Sequence, residues 1–179
     1  MNLFRPSSKD MKLKPASFAK IVEFFDWVHN NHKIISLSDP LFSSIFTDSY
    51  VKVDPSGESS LRITQEGNIY PSTYLLTENF IMGNITEINT LTEIMDSEII
   101  NLIKKIKIPE ECRLCKNCDR CKGGTLDRRF LWNKTFDIKD PYCPKNYGLP
   151  STLRRFTIDD TEFSSVHDGY LPTLFFKAV

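Results

Sequence analysis

All five cysteines of this 179-residue sequence lie between positions 112 and 143. Four of them are spaced regularly as Cys112-x₂-Cys115-x₂-Cys118-x₂-Cys121, and Cys143 follows after 21 further residues. A two-residue gap lets both sulfurs of a tight turn face one metal centre, and thiolates are soft ligands that select iron–sulfur clusters, zinc or copper(I). Because an odd, clustered set does not fit a secreted disulfide framework, the spacing predicts metal binding rather than structural disulfides.

The spacing alone leaves the identity of the metal open. Four cysteines can close a tetrahedral zinc site, although a zinc ribbon would use a second C-x₂-C pair where this chain has only Cys143. The short run followed by Cys143-Pro144 is also similar to the ligand pattern of bacterial ferredoxins. The residues therefore favour an iron–sulfur cluster, with zinc as the alternative.

The region before the cysteines contains the elements that must position them. Residues 1 to about 46 predict a strand–helix–strand unit, with a short apolar start at residues 2–4, a helix beginning near Pro15 and a strand over 32–37. Apolar residues at helical spacing define the helix: Phe18, Ile21, Val22, Phe25 and Val28. Such a unit is the repeating piece of a parallel α/β structure.

The rest of the chain predicts a smaller α+β arrangement. Residues 61–63 and 69–70 flank Gly67 as a hairpin, and a helix starting at Asp96 or Ser97 runs to Ile106. The tail over 169–176 is predicted to be a closing strand or a docking segment. Near the cysteines, we expect Phe130 and Trp132 in the core, with Arg128 and Arg129 exposed or gripping an acidic peptide.

Composition narrows the possible partners and the location. Lys plus Arg and Asp plus Glu both total 23, so no net field favours nucleic acid or an anionic membrane. The sequence has no apolar run of about 18 residues and no basic start followed by an apolar segment. We therefore expect a cytoplasmic protein that binds neither nucleic acid nor membrane.

Several motifs follow one another in a fixed order between about residues 48 and 146. They are Ser59–Pro71, Gly83-Asn84-Ile85, Cys112-x₂-Cys115-x₅-Cys121-x₂-Gly124 and Asp140-Pro141-x-Cys143. In order, spacing and intervening glycines this stretch resembles the SPASM domain, the C-terminal cluster-binding extension of many radical S-adenosylmethionine enzymes. The resemblance implies a mixed α/β (α+β) fold. It divides the chain into the last βα unit of a partial barrel (1–46), a SPASM-like domain (47–146) and a tail or docking segment (147–179).

The resemblance also implies a ligand set for one auxiliary [4Fe–4S] cluster, namely Cys112, Cys115, Cys121 and Cys143. A full SPASM signature has seven cysteines for two clusters. The three that belong to the first cluster fall near Asp54 and on Ser72 and Thr125 here, so one whole site is replaced. Cys118 is then a nearby thiol or an alternative ligand, and a ferredoxin-like site would use it in place of Cys121.

The implied parent enzyme modifies a ribosomally made peptide or a protein side chain and binds S-adenosylmethionine. This chain has no C-x₃-C-x₂-C motif, so by itself we expect it to be inactive, either as a fragment lacking the radical barrel or as a degenerate relative. Its cluster would relay electrons, support the loops and contact the substrate. The alternatives are a non-enzymatic module that binds zinc or a cluster through four cysteines and recruits a peptide partner, and a single-cluster electron carrier.

Overall fold

The computed structural model describes residues 16–33, 35–37, 39–46, 61–150, 153, 156–158 and 174–178. In chain order its helices are α1 (Phe18–Asn30), α2 (Pro40–Phe46), α3 (Leu91–Met95), α4 (Glu98–Lys105), α5 (Cys118–Cys121) and α6 (Leu126–Asn133), with 3₁₀ turns at Glu78–Phe80, Glu110–Cys112 and Pro144–Tyr147. The strands are β1 (Ile35–Leu37), β2 (Arg62–Ile63), β3 (Asn68–Tyr70), β4 (Gly83–Asn84), β5 (Phe156–Ile158) and β6 (Leu174–Ala178). This mixture of helices and small sheets confirms the predicted class.

The described residues divide into two compact units. The first unit combines those within 1–54 with those within 108–179, and the second contains those within 55–107. The cysteines therefore share a unit with α1 and α2. The predicted strand over 2–4, the predicted helix start at Pro15, and Asp54 lie outside the described residues.

The core of the first unit is built by α1 and α2. Helix α1 begins after Ser17, whose side chain accepts a hydrogen bond from the backbone N–H of Lys20 at 3.3 Å. It buries the apolar face predicted from the spacing: Phe18, Ile21, Phe25 and Val28. Phe25 stacks on Phe46 of α2 with ring centroids 3.9 Å apart, and Tyr142 closes the same apolar cluster. Cys121 packs against these apolar side chains, so the core directly supports residues 112–121, which we call the cysteine loop.

The sheet of the first unit has the strand order β1-β6-β5, and both pairings are antiparallel. Ile35 pairs with Phe176, and Ile158 pairs with the same residue on the other side. The described end of the chain thus forms the middle strand of this sheet, which agrees with the predicted strand rather than with a docking segment. Residues 169–173 of the predicted segment lie outside the described residues. The parallel neighbour expected for β1 falls on residues outside the described part of the chain.

The second unit is a three-stranded antiparallel sheet followed by two short helices. Strands β2 and β3 pair Arg62 with Tyr70, around a turn in which Gly67 has a φ of +83°. Helix α4 begins after Ser97, whose side chain accepts a hydrogen bond from the N–H of Ile100 at 3.3 Å. In neither unit does a described helix combine the length and apolar character that crossing a membrane requires.

Candidate metal centre

The four regularly spaced cysteines lie on a series of tight backbone turns. Cys112 ends a 3₁₀ turn, and Cys118 and Cys121 are the first and last residues of α5. The N–H of Cys115 donates to the carbonyl of Cys112, and the N–H of Cys118 donates to that of Cys115, each at 2.9 Å. Each of these turns spans three residues, so cysteines spaced three apart stay close together along the chain.

One cavity of the first unit is lined by four of the five cysteines: Cys112, Cys115, Cys121 and Cys143. Its other walls are formed by Leu41, Glu111, Gly123, Lys139 and Lys145. Cys118 is buried but does not line this cavity. The structure therefore brings together the four cysteines that were predicted as ligands and places the fifth elsewhere.

The thiols of this cavity influence one another electrostatically. Burial, together with negative charge on Cys121 and Cys143, raises the pKa of Cys112 to about 12. Burial likewise raises the pKa of Cys121 to about 11, against the opposing hydrogen bond from the backbone of Gly123. Four thiolates cannot be held together here without a cationic centre, because each anion disfavours the next.

The donor set is made of thiols, which as thiolates are soft ligands suited to an iron–sulfur cluster or to zinc. No group of three His, Cys, Asp or Glu side chains among the described residues has the geometry to hold a single metal ion. A tetrahedral zinc site with Zn–S bonds of about 2.3 Å would bring its sulfurs to within about 3.8 Å of one another. The four cysteines around one cavity therefore offer the ligand number that either group requires.

Lys139, one of the two lysines of the cavity wall, is held beside the thiols by Glu111. The backbone N–H of Lys139 donates to Glu111 Oε1 at 2.9 Å, and its ammonium pairs with the other oxygen of that carboxylate. This contact joins the segment before Cys143 to the turn that carries Cys112. The hydrogen bond with Glu111 raises the pKa of Lys139, although burial opposes this, so the side chain is cationic at neutral pH.

A buried charged group that the sequence reasoning missed lies next to the cavity. Arg128 is completely buried and pairs with two carboxylates, Asp39 and Asp140; we call these three residues the buried ion triad. Its guanidinium reaches Asp140 Oδ2 with Nη2 at 2.6 Å and with Nε at 2.8 Å. Burial alone would lower the pKa of Arg128, but the two carboxylates raise it well above its ordinary value.

The expectation for the arginine pair was wrong. Arg128 and Arg129 are both buried, whereas Trp132 is 36% exposed. Arg129 donates to the carbonyl of Phe136, which explains how a second cation is accommodated. The available signal was the pair of acidic residues that precede a proline, Asp39 at the start of α2 and Asp140 at the start of a turn. Nothing in the sequence alone joined them to Arg128.

Two of the three positions predicted to correspond to cysteines of the first SPASM cluster are described. Ser72 is buried in the second unit, and its hydroxyl accepts a hydrogen bond from the N–H of Tyr74 at 3.2 Å. Thr125 is buried in the first unit, and its hydroxyl has no hydrogen-bond partner within the described residues.

Comparison with known proteins finds a family model that matches residues 55–119. They match the model of the SPASM domain, described as an iron–sulfur cluster-binding domain. The matched range contains Cys112, Cys115 and Cys118 and ends before Cys121. Cys121 and Cys143 lie outside the matched range, and it is the shared cavity that groups them with Cys112 and Cys115.

Two curated relatives are named as maturation enzymes. The chain is 22% identical over 159 residues to mycofactocin maturase MftC of Mycobacterium ulcerans, an alignment covering 82% of this chain and 42% of the relative. It is 26% identical over 124 residues to the cysteine-type anaerobic sulfatase-maturating enzyme of Clostridium perfringens strain ATCC 13124, covering 63% and 33%. The chain thus spans less than half the length of these relatives.

Solved structures share the fold. Native anSMEcpe with bound AdoMet and Cp18Cys peptide superposes with a TM-score of 0.52 at 22% identity, covering 73% of this chain and 37% of that one. The same enzyme with bound AdoMet alone gives 0.51 at 20% identity with the same coverage. The similarity in fold therefore extends well beyond the cysteine loop.

Proposed function

We propose, from the premise that this chain carries a SPASM iron–sulfur domain of the radical S-adenosylmethionine maturase type, that it binds one auxiliary [4Fe–4S] cluster. The ligands are Cys112, Cys115, Cys121 and Cys143. The observation that carries the proposal is the cavity lined by these four cysteines and not by Cys118. The match of residues 55–119 to an iron–sulfur cluster-binding domain supports a cluster over a single zinc ion.

The surrounding residues would hold and tune such a group. When bound, a cluster ligated by four cysteines supplies one-electron transfer and cross-links the loops that hold it. Lys139 and Lys145 place positive charge at the cavity wall, which offsets the negative charge of four thiolates. Leu41 and Gly123 form other parts of the wall.

We further propose that the chain is the C-terminal part of an enzyme that modifies a ribosomally made peptide or a protein. Its relatives are named as maturases of mycofactocin and of sulfatases, and a similar structure holds a peptide. The sequence has no C-x₃-C-x₂-C motif, so the chemistry would come from a barrel carrying that motif. The auxiliary cluster would serve that barrel as electron relay, as structural support and as part of the substrate wall.

The test is an anaerobic purification with metal and sulfide analysis. We expect about four irons and four sulfides per chain and a brown sample with broad visible absorption. The variants Cys143→Ser and Cys121→Ser should hold at most three irons per chain, and the matched control Cys118→Ser should keep four. A colourless protein with stoichiometric zinc would overturn the proposal, and a Cys118→Ser variant that alone loses iron would overturn the ligand assignment.

A further inference from the structure

We propose that Arg128 is a positioning residue for Cys143. Through the buried ion triad it fixes the turn that carries this distant cysteine against the loop that carries the other three, so that the cavity is formed before a cluster is inserted. The inference rests on the proposed function. It concerns side chains that line no part of the cavity, and it therefore goes beyond the ligand assignment.

The Asp140 end of the triad is joined directly to the cysteine turn. One carboxylate oxygen of Asp140 accepts from the Arg128 guanidinium and from the N–H of Thr125 at 3.3 Å. The other accepts from the N–H of Tyr142 at 2.9 Å. The carbonyl of Asp140 accepts from the N–H of Cys143 at 3.0 Å. A single side chain thus fixes both the start of α6 and the turn that ends at Cys143.

The Asp39 end of the triad is attached to helix α2, which supplies Leu41 to the cavity wall. Asp39 pairs with both terminal nitrogens of Arg128, one of them at 3.2 Å. The same carboxylate accepts from the N–H groups of Leu41 and Phe42 at 3.0 and 3.2 Å, which caps α2. Because Leu41 lines the cavity, Arg128 connects the helix behind one wall to the turn that supplies the last cysteine.

The backbone at residues 123–124 packs closely against Asp140. Asp140 N–H donates to the carbonyl of Gly123 at 2.8 Å. A side chain at Gly124 would place its Cβ 2.2 Å from the Cβ of Asp140, and Gly124 has a φ of +94°. The segment before Cys143 therefore lies directly on the backbone that follows Cys121. This contact explains the glycine three residues after Cys121.

A planar, permanently charged side chain suits this role. The guanidinium presents several N–H groups in a fixed fork and can bind two carboxylates at once, which the point charge of lysine cannot reproduce. Its carbon Cζ also lies 6.0 Å from the ring centre of Phe42 and 5.8 Å from that of Tyr142. The triad thereby joins the aromatic core to the cysteine turn in one defined register.

The experiment compares Arg128→Met with Arg129→Met in the full chain. The control residue is the next residue of α6, is equally buried and donates to the carbonyl of Phe136. After anaerobic reconstitution, we expect Arg128→Met to lose its fourth iron about 10- to 100-fold faster than wild type, as changes in residues that orient ligands commonly do. Electron paramagnetic resonance of the oxidised sample should then show a three-iron species, as in Cys143→Ser. Arg129→Met should keep four irons even if its melting temperature falls.

A double variant separates positioning from general destabilisation. If Arg128 acts through Cys143, Arg128→Met combined with Cys143→Ser should lose iron no faster than Cys143→Ser alone. If Arg128→Met fails to fold, Asp140→Asn replaces it, because asparagine keeps the shape of the side chain. We expect this variant to show the same three-iron signal. Additive losses, or equal losses in the Arg128 and Arg129 variants, would overturn the inference. Wild-type protein holding zinc would overturn the proposed function instead, and the same cycle of variants, scored by zinc occupancy, would still decide the role of Arg128.

Discussion

The two compact units of this chain are held together by different means. The first unit combines a stacked aromatic core with fully buried charges, and close backbone contacts define its cysteine loop. The second unit, among its described residues, has no fully buried charge; it relies on a short sheet, on apolar side chains such as Leu75 and Ile94, and on hydrogen bonds of the Asn84 amide. The region that holds the four thiols thus adds buried charges to the apolar burial and hydrogen bonds that both units use.

Replacing Gly124 with alanine should produce the largest effect, and it should be confined to the first unit. The new Cβ would clash with Asp140 in a backbone conformation that alanine rarely adopts. We expect a loss of unfolding free energy above about 4 kcal/mol together with loss of iron. The matched control is Gly148→Ala, at a φ of +69° with no atom within 4 Å of the new Cβ, which should cost about 1–2 kcal/mol and keep iron. Urea unfolding and iron analysis of both variants would check this, and similar iron loss in both would contradict it.

Truncating Ile94 should weaken the second unit by a purely apolar mechanism. This side chain is 1% exposed, and we expect Ile94→Ala to cost about 2–5 kcal/mol. Hydrogen exchange should accelerate at the paired amides of β2, β3 and β4. The control Leu91→Ala removes a side chain that is 64% exposed and should change exchange little. Equal acceleration in both variants would show that burial does not determine the stability of this unit.

Removing the charge of Lys139 should change the redox behaviour more than the stability. We expect Lys139→Met to lower the reduction potential of the bound cluster by tens of millivolts, because a nearby cation favours the more negative, reduced state. A tenfold change in a one-electron equilibrium corresponds to about 59 mV. Lys139 and Lys145 both line the cavity, but Lys139 is the less exposed, so Lys145→Met should shift the potential less. Anaerobic redox titration measures both, and an upward shift in Lys139→Met would refute the assignment.

The smallest effect should come from an exposed ion pair in the same loop. Arg113 and Glu110 pair at 2.8 Å, with side chains 59% and 77% exposed. Arg113→Gln should cost at most about 1 kcal/mol and leave the iron content unchanged, because solvent screens such pairs. Thermal unfolding at low and high salt would measure the difference. A loss comparable to that of Gly124→Ala would erase the distinction between exposed and buried contacts in this loop.

Local patterns were predictable from the sequence. The spacing of Phe18, Ile21, Phe25 and Val28 predicted α1 and its buried face, because helical periodicity is a short-range property. Ser97 was one of two predicted caps of α4, and the structure selects it since its hydroxyl meets the N–H of Ile100. The relation to SPASM-containing radical enzymes, predicted from the cysteine, glycine and proline motifs, is confirmed by the family match and the relatives.

Long-range contacts were not predictable. Arg128 is 89 positions from Asp39, and nothing local at Arg128-Arg129 distinguishes a buried pair from an exposed one. A buried arginine depends on partners that only the folded chain supplies. The ligand set remains a prediction. The structure gives the four cysteines a common cavity, and iron analysis of the variants is the test.

The position of β6 in the first sheet has a consequence for biosynthesis. Strands β1 and β5 do not pair with each other in the described sheet; each pairs with β6, whose residues 174–178 are made long after those of β1. On the ribosome, β1 therefore emerges well before β6, its partner in the described sheet, and the cysteines emerge between the two. The cluster loop can consequently fold around its core before this sheet is assembled.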